Sequence, residues 1–218
     1  MDCAWLALVT ALTRYLTRSQ FLYDLDSVNF ALALDRFDPA AHQPHPPGYF
    51  LYVLLGRAVR ALTGDSNSAL VTISIAASCG AVILIYVLAR DWFGRLPALL
   101  AGVLFVCSPL CWFHGTVALT YIVEAFFSAL VGVLCWRAYK GSFPHAMAAA
   151  IAVGVASGFR PSSALFLTPL WLFSTYRFGW RGFGRGLAAA AAICAAWFIP
   201  MLAQAGGPRK YFGALWDL

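Results

Sequence analysis

Two acids, Asp24 and Asp26, followed by His42 and His45 in the run His42-Gln43-Pro44-His45-Pro46-Pro47-Gly48-Tyr49, form the densest polar stretch of the chain. Residues 24–65 hold five of the nine acidic residues and two of the four histidines, in a sequence that is 61% hydrophobic and 11% charged. A carboxylate such as Asp26, just past an apolar segment, can take a proton from an attacking hydroxyl or amine. The same residue type in the same place also serves as a helix N-cap. Asp24 makes an Asp-x-Asp pair that can hold a divalent cation through oxygen ligands, or it stands as a solvated loop acid. His42 and His45 can act as ligands or as hydrogen-bond donors to a phosphate, and the neighbouring prolines hold His45 on a rigid backbone.

Three further residues add to this chemistry, together with two weaker arginines. Arg160 follows Gly158-Phe159 and precedes Pro161 at the end of an apolar segment, where a guanidinium can grip a phosphate with two parallel hydrogen bonds or snorkel to the interface. Arg57 and Arg60 are weaker choices for the same role. Glu124 lies about two turns inside an apolar segment, with His114 in the turn before it. A carboxylate at that depth is costly and must face protein or a polar cavity, so function is the default reading, with Arg14 or Arg18 as structural partners in the other. Together, Asp26 reads as the catalytic group, and Asp24, His45, Arg57, Arg60, His114, Glu124 and Arg160 as substrate-binding groups. The six cysteines show no CxxC or Cys/His ligand spacing, so the divalent cation at Asp24 and Asp26 is the one cofactor left open.

The elements that must carry these groups are membrane helices. A mean hydropathy of +0.75, with eight Trp and seventeen Phe, exceeds what a soluble core of this length can bury. The net charge of +6 implies no nucleic-acid partner, because most Lys and Arg lie in short tracts between apolar segments. The expected architecture is an all-α polytopic bundle of about seven transmembrane helices in a single domain over residues 1–218. A first apolar segment covers about residues 3–22, weakened by Arg14 and Arg18. A first outer loop over 23–66 carries two interfacial helices, one over 27–37 with Phe30, Ala31, Leu34 and Phe37 on one face, the other over 49–62. Spans follow at about 68–89, 97–113, 117–136, 143–158, 161–176 and 186–205. With a cytoplasmic N-terminus, the inner loops hold Arg90, Arg95, Arg137, Lys140, Arg177, Arg181 and Arg185, while the outer connections hold Arg160 and the tail holds Arg209 and Lys210. The loop 23–66, the turns 113–116 and 158–163 and the tail then share the outer face.

The order Asp26-Ser27-Val28-Asn29-Phe30-Ala31 after a first membrane helix, then His45-Pro46-Pro47-Gly48-Tyr49, resembles the GT-C glycosyltransferases, which include protein O-mannosyltransferases and aminoarabinose transferases. Phe113-His114-Gly115-Thr116 with Glu124, and Gly158-Phe159-Arg160-Pro161, are similar to turns of bacterial members. Ser27 stands where a Glu is common in that family. The resemblance implies an outward-facing transferase of a bacterial inner membrane that uses a polyprenyl-phosphate sugar, with inversion at the anomeric carbon. Asp26 would be the general base and Arg160 the phosphate partner, with the acceptor a glycan, lipid or protein. It also implies a longer chain, since members continue through more helices past the equivalent of Leu218. The competing classes are a non-catalytic transporter or binder of lipid headgroups and an inactive remnant.

Overall fold

The computed structural model describes residues 1–216, and among these the regular structure is helical. Eleven α-helices occur among the described residues: α1 (Asp2–Leu16), α2 (Leu25–Asp35), α3 (Phe50–Thr63), α4 (Ser66–Phe93), α5 (Arg95–Cys107), α6 (Pro109–His114), α7 (Tyr121–Tyr139), α8 (Phe143–Phe159), α9 (Ser162–Thr175), α10 (Gly179–Gln204) and α11 (Pro208–Trp216). Among the described residues, three helical stretches are long and apolar enough to cross a membrane: Ser66–Phe93, Tyr121–Tyr139 and Ser162–Gln204, the last joining α9 and α10 through a 3₁₀ turn. Arg95–Cys107 and Phe143–Phe159 are apolar but shorter. The protein is therefore a helical membrane protein, organised around α4 and α7, with α8 between α7 and α10.

Local chemistry explains the boundaries. Asp24 caps α2, its carboxylate accepting the Asp26 N–H at 3.0 Å, and Asp65 caps α4 by accepting the Ser68 N–H at 2.9 Å. Gly64, at φ +88°, ends α3 in the left-handed conformation that a Cβ disfavours. The apolar run read as one span over 97–113 is broken instead, because Pro109 starts α6 and drives Ser108 into extended backbone. The segment read as starting at 117 becomes helical only at Tyr121. Residues 115–120 between α6 and α7 are buried without regular structure. Their carbonyls are satisfied from elsewhere: Ser19 N–H donates to Thr116 at 2.9 Å, Ser74 Oγ to Val117 at 2.8 Å and Ser27 Oγ to Ala118 at 3.0 Å. Ser27, the residue that departs from the GT-C pattern, is thus a fully buried tie between α2 and this segment.

Arg14 is fully buried, which shows how α1 carries it. It donates to the Val106 carbonyl at 2.8 Å, near the end of α5, and its guanidinium lies 4.5 Å from the Trp112 ring centroid. Arg18 stays near the surface, 3.9 Å over Tyr15. Small residues allow the close helix packing: a Cβ on Gly158 of α8 would stand 2.6 Å from Leu51 Cδ1 of α3 and 3.1 Å from Trp197 of α10.

Candidate functional site

The site forms where α2, α3, the loop between them, α7 and the α8–α9 turn meet at one end of the bundle. Phe30 and Leu34, almost wholly buried, anchor α2 against α3 and set where the first turn of α2 lies. That turn presents Asp26, about 40% exposed at its side chain. The face predicted for this helix is the buried one, with Phe30, Ala31, Leu34 and Phe37 inside. Asp24, two residues before Asp26, is exposed and its carboxylate is engaged as the α2 N-cap. Among the described residues no group of three or more His, Cys, Asp or Glu is placed to hold a metal ion. Asp24 Oδ1 is taken up by the Asp26 N–H, so that acid serves the start of α2.

His45 sits against Asp26. Its Nδ1 is 3.5 Å from Asp26 Oδ1, and its Nε2 is 3.1 Å from the Tyr49 hydroxyl. Phe30 packs on both rings, with centroids 5.8 Å from His45 and 5.1 Å from Tyr49. Burial lowers the His45 pKa below its ordinary value, against an opposing pull from Asp26. Burial likewise raises the Tyr49 phenol. Tyr49 lies in the left-handed region at φ +46°, an uncommon and costly conformation for a bulky residue, immediately before α3. Neither Tyr49 nor Tyr121 stands out in the sequence as a site residue. The signal available was the four-residue spacing from His45 to Tyr49 and the three-residue spacing from Tyr121 to Glu124.

The second half of the site is built on Arg160. Its Nε is 3.1 Å from Glu124 Oε2, and its Nη1 donates weakly to Thr120 Oγ1 at 3.4 Å. The guanidinium lies 4.3 Å from the Tyr121 ring centroid, and the His114 ring packs at a tilt against Tyr121, with centroids 4.6 Å apart. The Glu124 partner is therefore Arg160, and not Arg14 or Arg18. Ser162 and Ser163 reach Glu124 Oε1 at 3.5 Å each. Nη2 of Arg160 has no hydrogen-bond partner among the described residues. The charges of both Arg160 and Asp26 are felt at His45 and at Tyr49, and Glu124 and Tyr121 also act on Tyr49, so the two halves of the site lie near one another.

Arg57 and Arg60 are placed differently. Arg57 donates to the carbonyls of Leu34 at 2.9 Å and Ala33 at 3.0 Å, and Arg60 pairs with Asp35 at 2.7 Å. Both close the C-terminal end of α2, where free carbonyls favour cations. The structure thus brings together Asp26, His45, His114, Glu124 and Arg160, while Asp24, Arg57 and Arg60 hold the ends of α2.

A groove of about 280 Å³ opens beside the site, lined by Leu55, Ile73, Val123, Phe126, Phe127 and Phe159 among others. Phe159 adjoins Arg160 and Val123 adjoins Glu124, so its apolar wall leads to the charged pair. At the same end, α11 holds the histidine loop: Lys210 Nζ lies 2.8 Å from Asp38 Oδ1, and the Tyr211 hydroxyl donates to the Pro47 carbonyl at 2.9 Å. Lys210 keeps the Asp38 carboxyl below the usual carboxylate range.

No curated protein and no solved structure matches the chain. A family model described as the protein O-mannosyl-transferase TMEM260 N-terminal domain matches residues 40–181. The matched region includes His45, Tyr49, His114, Tyr121, Glu124 and Arg160, and it begins after Asp24 and Asp26. Since the match spans well over half of the chain, this protein belongs to the protein O-mannosyl-transferase TMEM260 N-terminal domain family.

Proposed function

We propose that the protein is a membrane glycosyltransferase that moves a mannosyl group from a polyprenyl-phosphate donor to an acceptor hydroxyl at the outer face of a bacterial inner membrane, with inversion. The family description supports the sugar and the O-linkage. The observation that carries the mechanism is a half-exposed carboxylate, Asp26, 3.5 Å from His45, at the same end of the bundle as the Arg160 guanidinium, whose charge is also felt at His45 and Tyr49. In-line displacement at an anomeric carbon needs this pair of opposite functions. Asp26 takes the proton of the acceptor hydroxyl as the new C1–O bond forms. The bond from C1 to the phosphate oxygen breaks, and the lipid phosphate departs with the electron pair, its charge met by Arg160. Tyr121, itself packed against His114, and Glu124 hold the guanidinium in place.

The apolar groove beside Phe159 accommodates the first isoprene units next to the phosphate. A lipid-linked donor is consistent with this setting, since nucleotide sugars are cytosolic and the charge pattern favours an outer position for this end of a bundle of about seven spans. The words of the family description favour a protein hydroxyl as acceptor, with glycan and lipid hydroxyls as the other members of the class. Purified protein in nanodiscs, given dolichyl- or undecaprenyl-phosphate mannose and Ser/Thr peptides, tests the reading. Arg160→Ala should lower turnover by about 10²–10³-fold, the range typical for removing one preorganised charge-stabilising donor. Unchanged turnover would remove Arg160 from the phosphate site.

A further inference from the structure

We infer that His45 is a positioning residue for Asp26, and that Tyr49 selects the His45 tautomer that does this. The inference rests on Asp26 being the base, as proposed above. Asp26 stands on the first turn of α2 with about 40% of its side chain exposed, so the helix alone does not fix the direction of its carboxylate. His45 Nδ1 is a buried nitrogen that has no hydrogen-bond partner within bonding distance, and it faces Asp26 Oδ1 at 3.5 Å. A buried polar atom left unpaired is costly, and a small rotation of the exposed carboxylate closes this gap. The other ring nitrogen already has its partner in the Tyr49 hydroxyl at 3.1 Å.

Two tautomers fit the Tyr49 contact, and they differ at Asp26. With the proton on Nε2, His45 donates to Tyr49 and turns a lone pair towards the carboxylate, which is repulsive. With the proton on Nδ1, Tyr49 donates its O–H to Nε2 and His45 donates to Asp26. The second arrangement satisfies all three groups. It also gives a reason for the strained backbone of Tyr49, whose φ of +46° carries the phenol to the edge of the His45 ring. Phe30, packed on both rings, holds the pair in register. In this scheme His45 keeps its proton throughout. The proton taken from the acceptor resides on Asp26 and leaves to solvent.

Side-chain amides separate the two nitrogens of His45. Asn places its N–H near the Nδ1 position, while Gln reaches towards Nε2. In transfer from dolichyl- or undecaprenyl-phosphate mannose, His45→Asn should retain kcat within a few-fold, whereas His45→Gln and His45→Ala should lose about 10–100-fold, the scale of a misplaced reacting group. The donor KM should stay unchanged in all three. Tyr49→Phe should fall between them. A rise in donor KM at constant kcat would overturn the inference by making His45 a phosphate ligand. Equal losses in His45→Asn and His45→Gln would overturn it as well.

A measurement independent of turnover uses ¹⁵N-histidine labelling in nanodiscs. The Nδ1–H tautomer at His45 is expected in the wild type, and it should be lost in Tyr49→Phe. The Nε2–H tautomer, the usual form of free neutral imidazole, would contradict the inference. Full turnover in Asp26→Asn would instead sink the proposed base, whatever the His45 tautomer.

Discussion

At the scale of single residues, the site depends on a neutral His45 whose burial outweighs the attraction of Asp26. His42 and Arg160 act in the same direction as burial, and Tyr49 is the remaining titratable group in contact. The sign of the resulting pH dependence follows. Unfolded His45 binds its proton near the ordinary value of 6.5, and folded His45 binds it only at lower pH. Between those two values the unfolded chain carries more protons, so His45 makes stability fall as pH drops below 6.5 and contributes no slope above it. Thermal unfolding in nanodiscs should show a wild-type loss on acidification that is smaller in His45→Gln; an identical slope would contradict the assignment. Ser27 permits a second test. Its buried hydroxyl donates to Ala118, and Ser27→Ala should destabilise the protein by about 1 kcal/mol by leaving that carbonyl unpaired. From sequence, Asp26, His45, Glu124 and Arg160 were visible as residue types out of place in an apolar chain. Tyr49 was not, because an aromatic residue at the start of an interfacial helix is ordinary until its backbone angle and its partner are known.

At the scale of elements, α2 is the part that carries Asp26, and both its ends are tied. Asp24→Ala removes the N-cap and should cost about 1 kcal/mol of stability, a loss that Asp24→Ser largely restores. Chemical unfolding of the two variants checks this, and equal stability would show that the cap is idle. Arg57 and Arg60 do the corresponding work at the other end, which spacing alone could not reveal, since their carbonyl partners are some 23 to 26 residues away in the chain. The α8–α3 approach at Gly158 fixes Arg160. Gly158→Ala would gain helix propensity yet push Leu51, already 2.6 Å from the added Cβ, so the net expectation is destabilisation by about 1–3 kcal/mol with reduced turnover. A more stable and fully active Gly158→Ala would show that α3 can move aside freely. The break at Ser108-Pro109 was readable from the proline and was hidden by the apolar run on both sides of it. The Arg14 contact with the end of α5 was not readable, because it requires knowing that α1 and α5 are neighbours.

At the scale of the molecule, composition and the run of apolar segments pointed to a helical membrane protein, and among the described residues three apolar stretches are long enough to cross a bilayer. The convergence of Asp26 with Arg160, more than a hundred residues apart, is a property of the bundle: the α2–α3 loop, the segment 115–120 and the α8–α9 turn all close over one end. The helices α10 and α11 complete that end, holding the histidine loop through Lys210, Tyr211 and the packing of Met201 against Gly48. Loosening this clasp with Lys210→Ala and Tyr211→Phe together should lower kcat/KM while leaving membrane insertion intact, and unchanged kcat/KM would show that the loop holds its form without it. The most direct test of the account is mannosyl transfer by purified protein in nanodiscs, from dolichyl- or undecaprenyl-phosphate mannose to Ser/Thr peptides, with wild type beside Asp26→Asn. The account predicts wild-type product and a loss of about 10²–10⁴-fold in the variant, the usual contribution of a general base; equal turnover by the two proteins would contradict it.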